Sequence, residues 1–198
     1  MDIPDTELFL DVWRSLAVQH GFDGIYFVGI GSKDCVNRGF DGFVANGPVI
    51  PEKARYKTKF DSAFYLLFGK RLSDKARNFP YSGPQVFKYS DVVNTVLDEP
   101  LEKREFPMVL PNWDNTPRAS RRGTVLQGST PELYGKYLEK ALKLVTDKRP
   151  EEQIIFIKSW NEWAEGNVLE PSINWGNSYL RKTKEILQIF SQLSNVIK

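Results

Sequence analysis

The chain has 198 residues, of which 41% are hydrophobic, 13% aromatic and 26% charged, and this composition is typical of one globular domain with a sizeable core. Its 27 Lys and Arg residues nearly balance its 25 Asp and Glu residues, so the net charge of +2 gives no sign of nucleic-acid or membrane binding. A single cysteine excludes an internal disulfide, and one histidine with one cysteine excludes a zinc site built from histidine and thiolate ligands.

Signals for cofactor binding and for export are weak in this sequence. Gly29 and Gly31 have the spacing of a dinucleotide-binding loop, but Asp34 occupies the position of the third glycine of that motif. No apolar run reaches the length of about 18 residues that a membrane helix needs, and the first residues lack the basic-then-apolar order of a signal peptide. We therefore expect no cofactor, no metal, no membrane span, no nucleic-acid partner and a cytoplasmic location.

The first half of the chain predicts one clear helix and two strands. Apolar residues recur at helical spacing up to Gln19, Asp5 or Thr6 can cap the start, and Gly21 follows the end. The lone histidine, His20, is then a residue of the helix C-terminus. The predicted elements are a helix over 4–19, strands over 24–31 and 40–44, a connection over 49–87 and a helix over 89–101.

The connection over residues 49–87 has two interpretations. It combines several basic residues with an aromatic and apolar patch, and we predict that it contains a little helix. In the first interpretation it forms part of the rim of a site, as long loops of barrel proteins often do. In the second it is a solvated loop that its aromatic residues anchor to the core.

The second half of the chain alternates strand, loop and helix. The predicted elements are a strand over 106–111, a loop over 113–118, a helix from Ser129 to about residue 145, a strand over 154–157 and a helix over 177–197. This rhythm predicts an α/β fold with parallel strands and outer helices.

The most informative stretch is residues 154–167, where an apolar strand ends in two indoles, an amide and two carboxylates. The run Ile154 to Ile157 is β-branched and aromatic, which favours a strand covered on both faces. Glu162 and Glu165 then lie at the carboxyl edge of the sheet, and a tight turn at Gly166 would bring both to one opening. Carboxyl pairs beside aromatic faces are typical of sugar chemistry. The alternative is a core strand followed by a loop with solvated glutamates.

A second group of polar residues follows the strand over 106–111. Asp114 and Asn115 can hydrogen-bond sugar hydroxyls, and Arg118 can hold an anionic group through two bonds. The alternative is an Asx-type turn stiffened by Pro117, and spacing alone does not decide between the two. Together the two loops provide the candidate substrate-binding residues Trp113, Asp114, Asn115, Arg118, Trp160, Asn161 and Trp163.

Two long motifs carry a resemblance to a known family. Residues 159–171 read Ser-Trp-Asn-Glu-Trp-Ala-Glu-Gly-Asn-Val-Leu-Glu-Pro, and residues 106–118 read Phe-Pro-Met-Val-Leu-Pro-Asn-Trp-Asp-Asn-Thr-Pro-Arg. With the segments 128–132 and 175–180, they resemble the last two strands and the last helix of the glycoside hydrolase family 99-like proteins, which include the WbsX-type glycosyltransferases. The resemblance covers residues 89–190 well and residues 1–88 loosely.

The resemblance implies roles for the two glutamates. In hydrolases of that family, the position matching Glu162 acts as a base on the 2-hydroxyl of the sugar, which gives an anhydro-sugar intermediate. The position matching Glu165 acts as general acid and then as base at the glycosidic oxygen, so the configuration is retained. Ala164 departs from those hydrolases, which usually carry a polar residue there, and is typical of the WbsX-like branch. Hydrolysis and glycosyl transfer therefore both stay open.

The resemblance also implies an architecture and its alternatives. Residues 1–198 are expected to form one domain, roughly the C-terminal half of a (β/α)₈ barrel, whose substrate is an oligosaccharide, a polysaccharide or a sugar nucleotide. The non-enzymatic alternative is a truncated barrel that binds a glycan or a partner without turnover. An unclosed sheet also predicts self-association, or association with a missing N-terminal half, through unpaired edge strands.

Overall fold

The computed structural model of the chain describes residues 5–45, 47, 50, 83–98 and 100–196. Most of the connection predicted over residues 49–87 lies outside the described residues, so its two interpretations are not tested. The helices are α1 Thr6–Gln19, α2 Asp34–Asn37, α3 Tyr89–Thr95, α4 Thr116–Ala119, α5 Pro131–Val145 and α6 Ser178–Val196. The strands are β1 Val28–Ile30, β2 Gly42–Val44, β3 Gln85–Lys88, β4 Glu105–Phe106, β5 Met108–Val109, β6 Trp113–Asp114, β7 Thr124–Gln127, β8 Phe156–Ile157, β9 Asn161–Glu162 and β10 Asn167–Val168.

Helices α1 and α5 begin where the sequence predicts, because a side chain caps the first turn of each. Asp5 Oδ1 accepts a hydrogen bond of 2.9 Å from the Leu8 amide. Thr130 Oγ1 accepts one of 3.3 Å from the Leu133 amide. Each cap satisfies an amide that the helix itself leaves without a partner.

The parallel strands follow one another in chain order. One sheet has the order β1-β2-β4, and β5 pairs with β8. Pro107 alone separates β4 from β5, so the two pairings meet at one interrupted strand. A second sheet has the order β3-β7-β6, in which β7 is parallel to β3 and antiparallel to β6. The predicted α/β fold with parallel strands is confirmed, whereas the described residues form no closed barrel.

Several predicted boundaries are wrong for local reasons. The strand predicted over 106–111 divides at Pro107, which has no N–H for a ladder. Strands β3 and β7 were not predicted. Each buries a single residue, Phe87 in β3 and Leu126 in β7, and therefore has no periodic hydrophobic pattern. Helix α3 ends at Thr95 instead of residue 101, since the next residue is extended and Leu97 has a φ of 58°. Strand β8 is half-buried instead of covered on both faces.

The main core lies between the strand ends and helices α3, α5 and α6. It contains Phe87, Tyr89, Val92, Val93, Val96, Val109, Leu110, Trp113, Leu126, Tyr134, Tyr137, Leu138, Ala141, Leu142, Leu169 and Tyr179. Helix α5 packs closely on α6 at Gly135, where a Cβ would come within 2.8 Å of the Lys182 side chain. This core therefore fixes the end of β5, from which a candidate site loop emerges.

Candidate active site

Two loops at the carboxyl ends of neighbouring parallel strands form the candidate site. Strand β5 leads into the loop that contains β6 and α4, and β8 leads into the hairpin β9–β10. Because Val109 of β5 lies opposite Ile157 of β8, the two strands end side by side. The turn Trp163–Glu165 within the hairpin contacts both α4 and β6. The candidate residues thus lie at the carboxyl ends of two neighbouring parallel strands, where α/β folds often have their active sites.

Arg118 joins the two glutamates. Its Nη2 lies 3.3 Å from Glu162 Oε1, and its Nη1 lies 3.4 Å from Glu165 Oε1. We call these two ion pairs the Arg118 bridge. Glu162 and Glu165 follow Arg118 in the sequence by 44 and 47 positions. The fold therefore brings distant parts of the chain together at one guanidinium group.

Lys158 is a further cation at the site. Its Nζ lies 3.8 Å from Glu165 Oε2 and 5.0 Å from the centroid of the Trp113 ring. The Glu165 side chain is 16% exposed and the Glu162 side chain 35%. Glu165 therefore lies deeper than Glu162, between two cations, whereas Glu162 contacts one of them.

Backbone and hydroxyl contacts hold the hairpin in place. Ser159 Oγ accepts a bond of 3.1 Å from the Glu162 amide and donates one of 3.0 Å to the Asn167 carbonyl. Gly166 ends the turn in the left-handed region, with a φ of 63°. The predicted tight turn is confirmed, and it lies in the hairpin from which both Glu162 and Glu165 reach Arg118.

The first loop is folded by its own polar side chains. Asp114 Oδ1 accepts bonds of 2.9 Å and 2.6 Å from the Thr116 amide and hydroxyl. Asn115 Oδ1 accepts a bond of 2.7 Å from the Thr124 amide. This is the Asx-type turn of the structural alternative, and it presents α4 and hence Arg118 to the hairpin. Sugar binding by Asp114 and Asn115 stays a prediction.

Trp113 does not lie at the rim of the site. It is 5% exposed and belongs to the main core, because β6 pairs with β7 and turns this side chain inward. Trp113 is among the candidate substrate-binding residues predicted from the sequence, and that role stays a prediction. The ring forms part of the floor beneath Lys158.

The hairpin residues are more accessible. Trp160 and Trp163 are 52% and 58% exposed, and Asn161 is also exposed. The Trp163 indole N–H donates to Glu170 Oε1, which fixes its ring on the hairpin. These three residues are accessible to a ligand, as the prediction requires, and their role in binding is untested.

Lys158, Asn112 and Asn167 were not singled out from the sequence as residues of these loops. Among the residues that the structure describes, the buried atoms Asn112 Oδ1, Trp113 Nε1 and both amide atoms of Asn167 have no hydrogen-bond partner. Buried polar groups of this kind are rare in proteins and cost about 1–3 kcal/mol each. Asn167 pairs with Glu162 across the hairpin and was visible in the motif. Lys158 was visible as the residue that follows β8.

Hydroxyl groups of three other elements position the strand end. Tyr89 donates to the Leu110 carbonyl, and Ser129 donates to the Pro111 carbonyl while it contacts the Tyr179 hydroxyl at 2.8 Å. Burial raises the pKa of Tyr89 and of Tyr179, so both phenols keep the proton that these bonds need. These hydrogen bonds hold the end of β5 in place, where the loop that contains β6 and α4 begins.

Comparisons with known proteins identify the family of the chain. The profile of the family described as Glycosyltransferase WbsX matches residues 1–183. The chain belongs to the WbsX glycosyltransferase family. Two relatives from Xanthomonas campestris pv. campestris, strains B100 and ATCC 33913, are called uncharacterized protein WxcX and are 34% and 33% identical over 112 residues. These residues are 56% of this chain and 16% of each relative, so the chain spans only a small part of their length.

A solved structure shares the fold of this WbsX family member. It is a glycoside hydrolase-like protein with a TM-score of 0.50 and 14% sequence identity, and the match covers 93% of this chain and 50% of that one. At this identity the match supports the fold alone. Within the described residues, no cluster of His, Cys, Asp or Glu side chains is suited to hold a metal ion, and no helix is long and apolar enough to cross a membrane.

Proposed function

We propose that the chain is part of a carbohydrate-active enzyme in which Glu162 and Glu165 act as a pair on a glycosidic bond. The observation that carries this proposal is the Arg118 bridge, because it places both carboxylates within the span of one guanidinium group at the carboxyl end of parallel strands. The family description and the fold of the glycoside hydrolase-like neighbour support the same class of substrate.

The proposed reaction has two steps with a balanced transfer of protons. In the first, Glu162 removes the proton of the sugar 2-hydroxyl, O2 attacks C1, and the bond from C1 to the leaving oxygen breaks as Glu165 protonates that oxygen. In the second, Glu165 removes a proton from water or an acceptor hydroxyl, which attacks C1, and Glu162 returns its proton to O2. Two inversions at C1 give overall retention.

The accessible residues of the hairpin are proposed to hold the sugar. The exposed indoles of Trp160 and Trp163 offer faces for the C–H surface of a pyranose, and Asn161 offers an amide for its hydroxyls. In this proposal, residues 1–198 correspond to about half of a (β/α)₈ barrel, in line with the half coverage of the solved neighbour. Asp114 and Asn115 contribute mainly by shaping the first loop.

The test combines a substrate panel with matched glutamate variants. The parent, Glu162→Gln, Glu165→Gln and the control Glu139→Gln are incubated with aryl glycosides and oligosaccharides, with and without acceptor sugars. Glu139 is a suitable control because it is exposed and pairs with Lys143 at 2.8 Å on α5, outside both site loops. We expect product from the parent and the control only. Turnover that survives in both site variants would contradict the proposal.

The same incubations separate the remaining alternatives. Reaction in ¹⁸O-labelled water identifies hydrolysis by label at C1 of the product, whereas a new glycoside of the acceptor identifies transfer. Glycan binding by the parent without either product, over the whole panel, would support the non-enzymatic alternative of a binding module.

A further inference from the structure

Arg118 contacts both carboxylates that have to reach a sugar in the proposed function. In the proposed function, both carboxylates must reach atoms of one sugar ring, but Glu162 and Glu165 are each paired with the same guanidinium group. The Arg118 bridge must therefore open when substrate binds, and the guanidinium group then becomes available to a new partner.

The bridge is built so that it can open at low cost. Its distances of 3.3 and 3.4 Å exceed the 2.7–2.9 Å or so that charge-assisted N–H···O bonds usually have. The Arg118 side chain is 59% exposed, so water can solvate the guanidinium group when the pairs separate. Exposed ion pairs of this kind contribute little to folding stability.

The loop that carries Arg118 is positively charged. Within residues 113–129 there are three arginines, Arg118, Arg121 and Arg122, and one acidic residue, Asp114. Asp114 Oδ1 is engaged by Thr116, and Lys158 adds a cation 3.8 Å from Glu165. With three arginines and one aspartate, the loop over residues 113–129 that carries Arg118 has a net charge of +2, which favours an anion beside it.

We propose that Arg118 recognises an anionic group on the substrate, and that binding of this group opens the Arg118 bridge and releases Glu162 and Glu165. The group is a sugar carboxylate, as in a uronic acid, or a phosphate, as in a sugar phosphate or sugar nucleotide. A guanidinium fork binds either one through two parallel hydrogen bonds. This inference rests on the proposed function and names the substrate class as acidic sugars.

The test compares each acidic probe with its uncharged counterpart. Calorimetric titrations at low salt use trigalacturonic and triglucuronic acid against their methyl esters, and glucose 1-phosphate against glucose. We expect at least one acidic probe to bind about tenfold more tightly than its uncharged form, and the pair that differs identifies carboxylate or phosphate as the recognised group. Equal binding within every pair would overturn the inference.

Two arginine variants show whether Arg118 causes the preference for acidic probes. Arg118→Gln should remove the preference for the acidic probe. Arg149→Gln should retain it, because Arg149 also pairs with two glutamates, at 3.0 Å to Glu151 and 2.7 Å to Glu152, but lies outside the two site loops. Retention of the full preference in Arg118→Gln would overturn the inference.

A glutamate variant tests whether the anionic group of the substrate replaces the carboxylates at Arg118. Glu162→Gln removes one competitor for Arg118, so the acidic probe should bind several-fold more tightly to this variant than to the parent. The gain should vanish in the double variant Arg118→Gln with Glu162→Gln. Probes that bind without any acidic preference would overturn this inference, and so would the absence of binding by every probe, whereas the proposed function is tested separately by the turnover of the glutamate variants.

Discussion

Gly166 lies directly against Asp114 and thereby joins the two loops of the candidate site. A Cβ at Gly166 would come within 3.3 Å of the Asp114 amide nitrogen and 3.4 Å of its Cβ. Gly166 also has a φ of 63°, which side chains disfavour. The contact places the turn of Glu165 next to the loop that carries Arg118.

We expect Gly166→Ala to destabilise the protein and to disturb the site. The left-handed conformation costs about 1 kcal/mol or more with a Cβ, and the crowding against Asp114 adds to it. Gly21→Ala is the matched control, since Gly21 has a φ of 81° and no atom within 4 Å of its Cβ position. Chemical denaturation and glycan binding should show that only Gly166→Ala loses binding. Equal effects of both variants on binding would contradict the proposed contact.

Trp113 and Trp163 should behave in opposite ways when they are replaced by alanine. Trp113→Ala removes a core ring that is 5% exposed, so we expect a loss of roughly 3–5 kcal/mol and a melting temperature lower by about 10 °C. Trp163→Ala should leave the melting temperature within about 2 °C of the parent and weaken glycan binding roughly three- to tenfold. Thermal scans and titrations check both, and a stable Trp113→Ala variant would contradict the assignment to the core.

The two site glutamates should differ in their response to the leaving group. We expect Glu165→Gln to slow turnover of poor leaving groups by at least about a hundredfold and to affect activated aryl glycosides much less. Glu162→Gln should be severe for both, because the 2-hydroxyl must lose its proton to attack C1 whichever leaving group departs. Initial rates over a series of aryl glycosides provide the measurement. Loss of equal size in both variants, independent of the leaving group, would contradict the separate roles.

Buried tyrosines should make the fold sensitive to alkali. Burial raises the pKa of Tyr134 from 10.0 to about 12, and its hydroxyl lies 3.1 Å from Thr183 Oγ1. Because the folded pKa is raised, this stabilisation is complete below pH 10 and is lost as the pH rises toward 12. The loss from this residue reaches at most about 3 kcal/mol.

Tyr134→Phe tests this pH dependence. The free energy of unfolding should fall less between pH 9 and pH 11.5 in the variant than in the parent, as measured by denaturant titration. Tyr26→Phe is the comparison, because burial also raises the pKa of Tyr26 but this residue is 43% exposed, so its replacement should change the pH dependence less. A parent and a Tyr134→Phe variant with identical pH dependence would contradict the assigned pKa.

Local chemistry in the sequence was sufficient for several features of this protein. The caps at Asp5 and Thr130 locate α1 and α5, because a helix start depends on residues that are close in the chain. The turn at Gly166 was predictable for the same reason, since only glycine adopts its φ readily. The motifs around Glu162 and Arg118 also indicated the family, as the profile match confirms.

Tertiary structure decided what depends on partners that are distant in the chain. Trp113 and Trp163 have similar sequence surroundings, but pairing with β7 buries the first and the open hairpin exposes the second. Strands β3 and β7 exist because they pair with each other, since one buried residue per strand gives no pattern to detect. The Arg118 bridge likewise forms only because β5 and β8 are parallel neighbours, which brings together the loops that follow them.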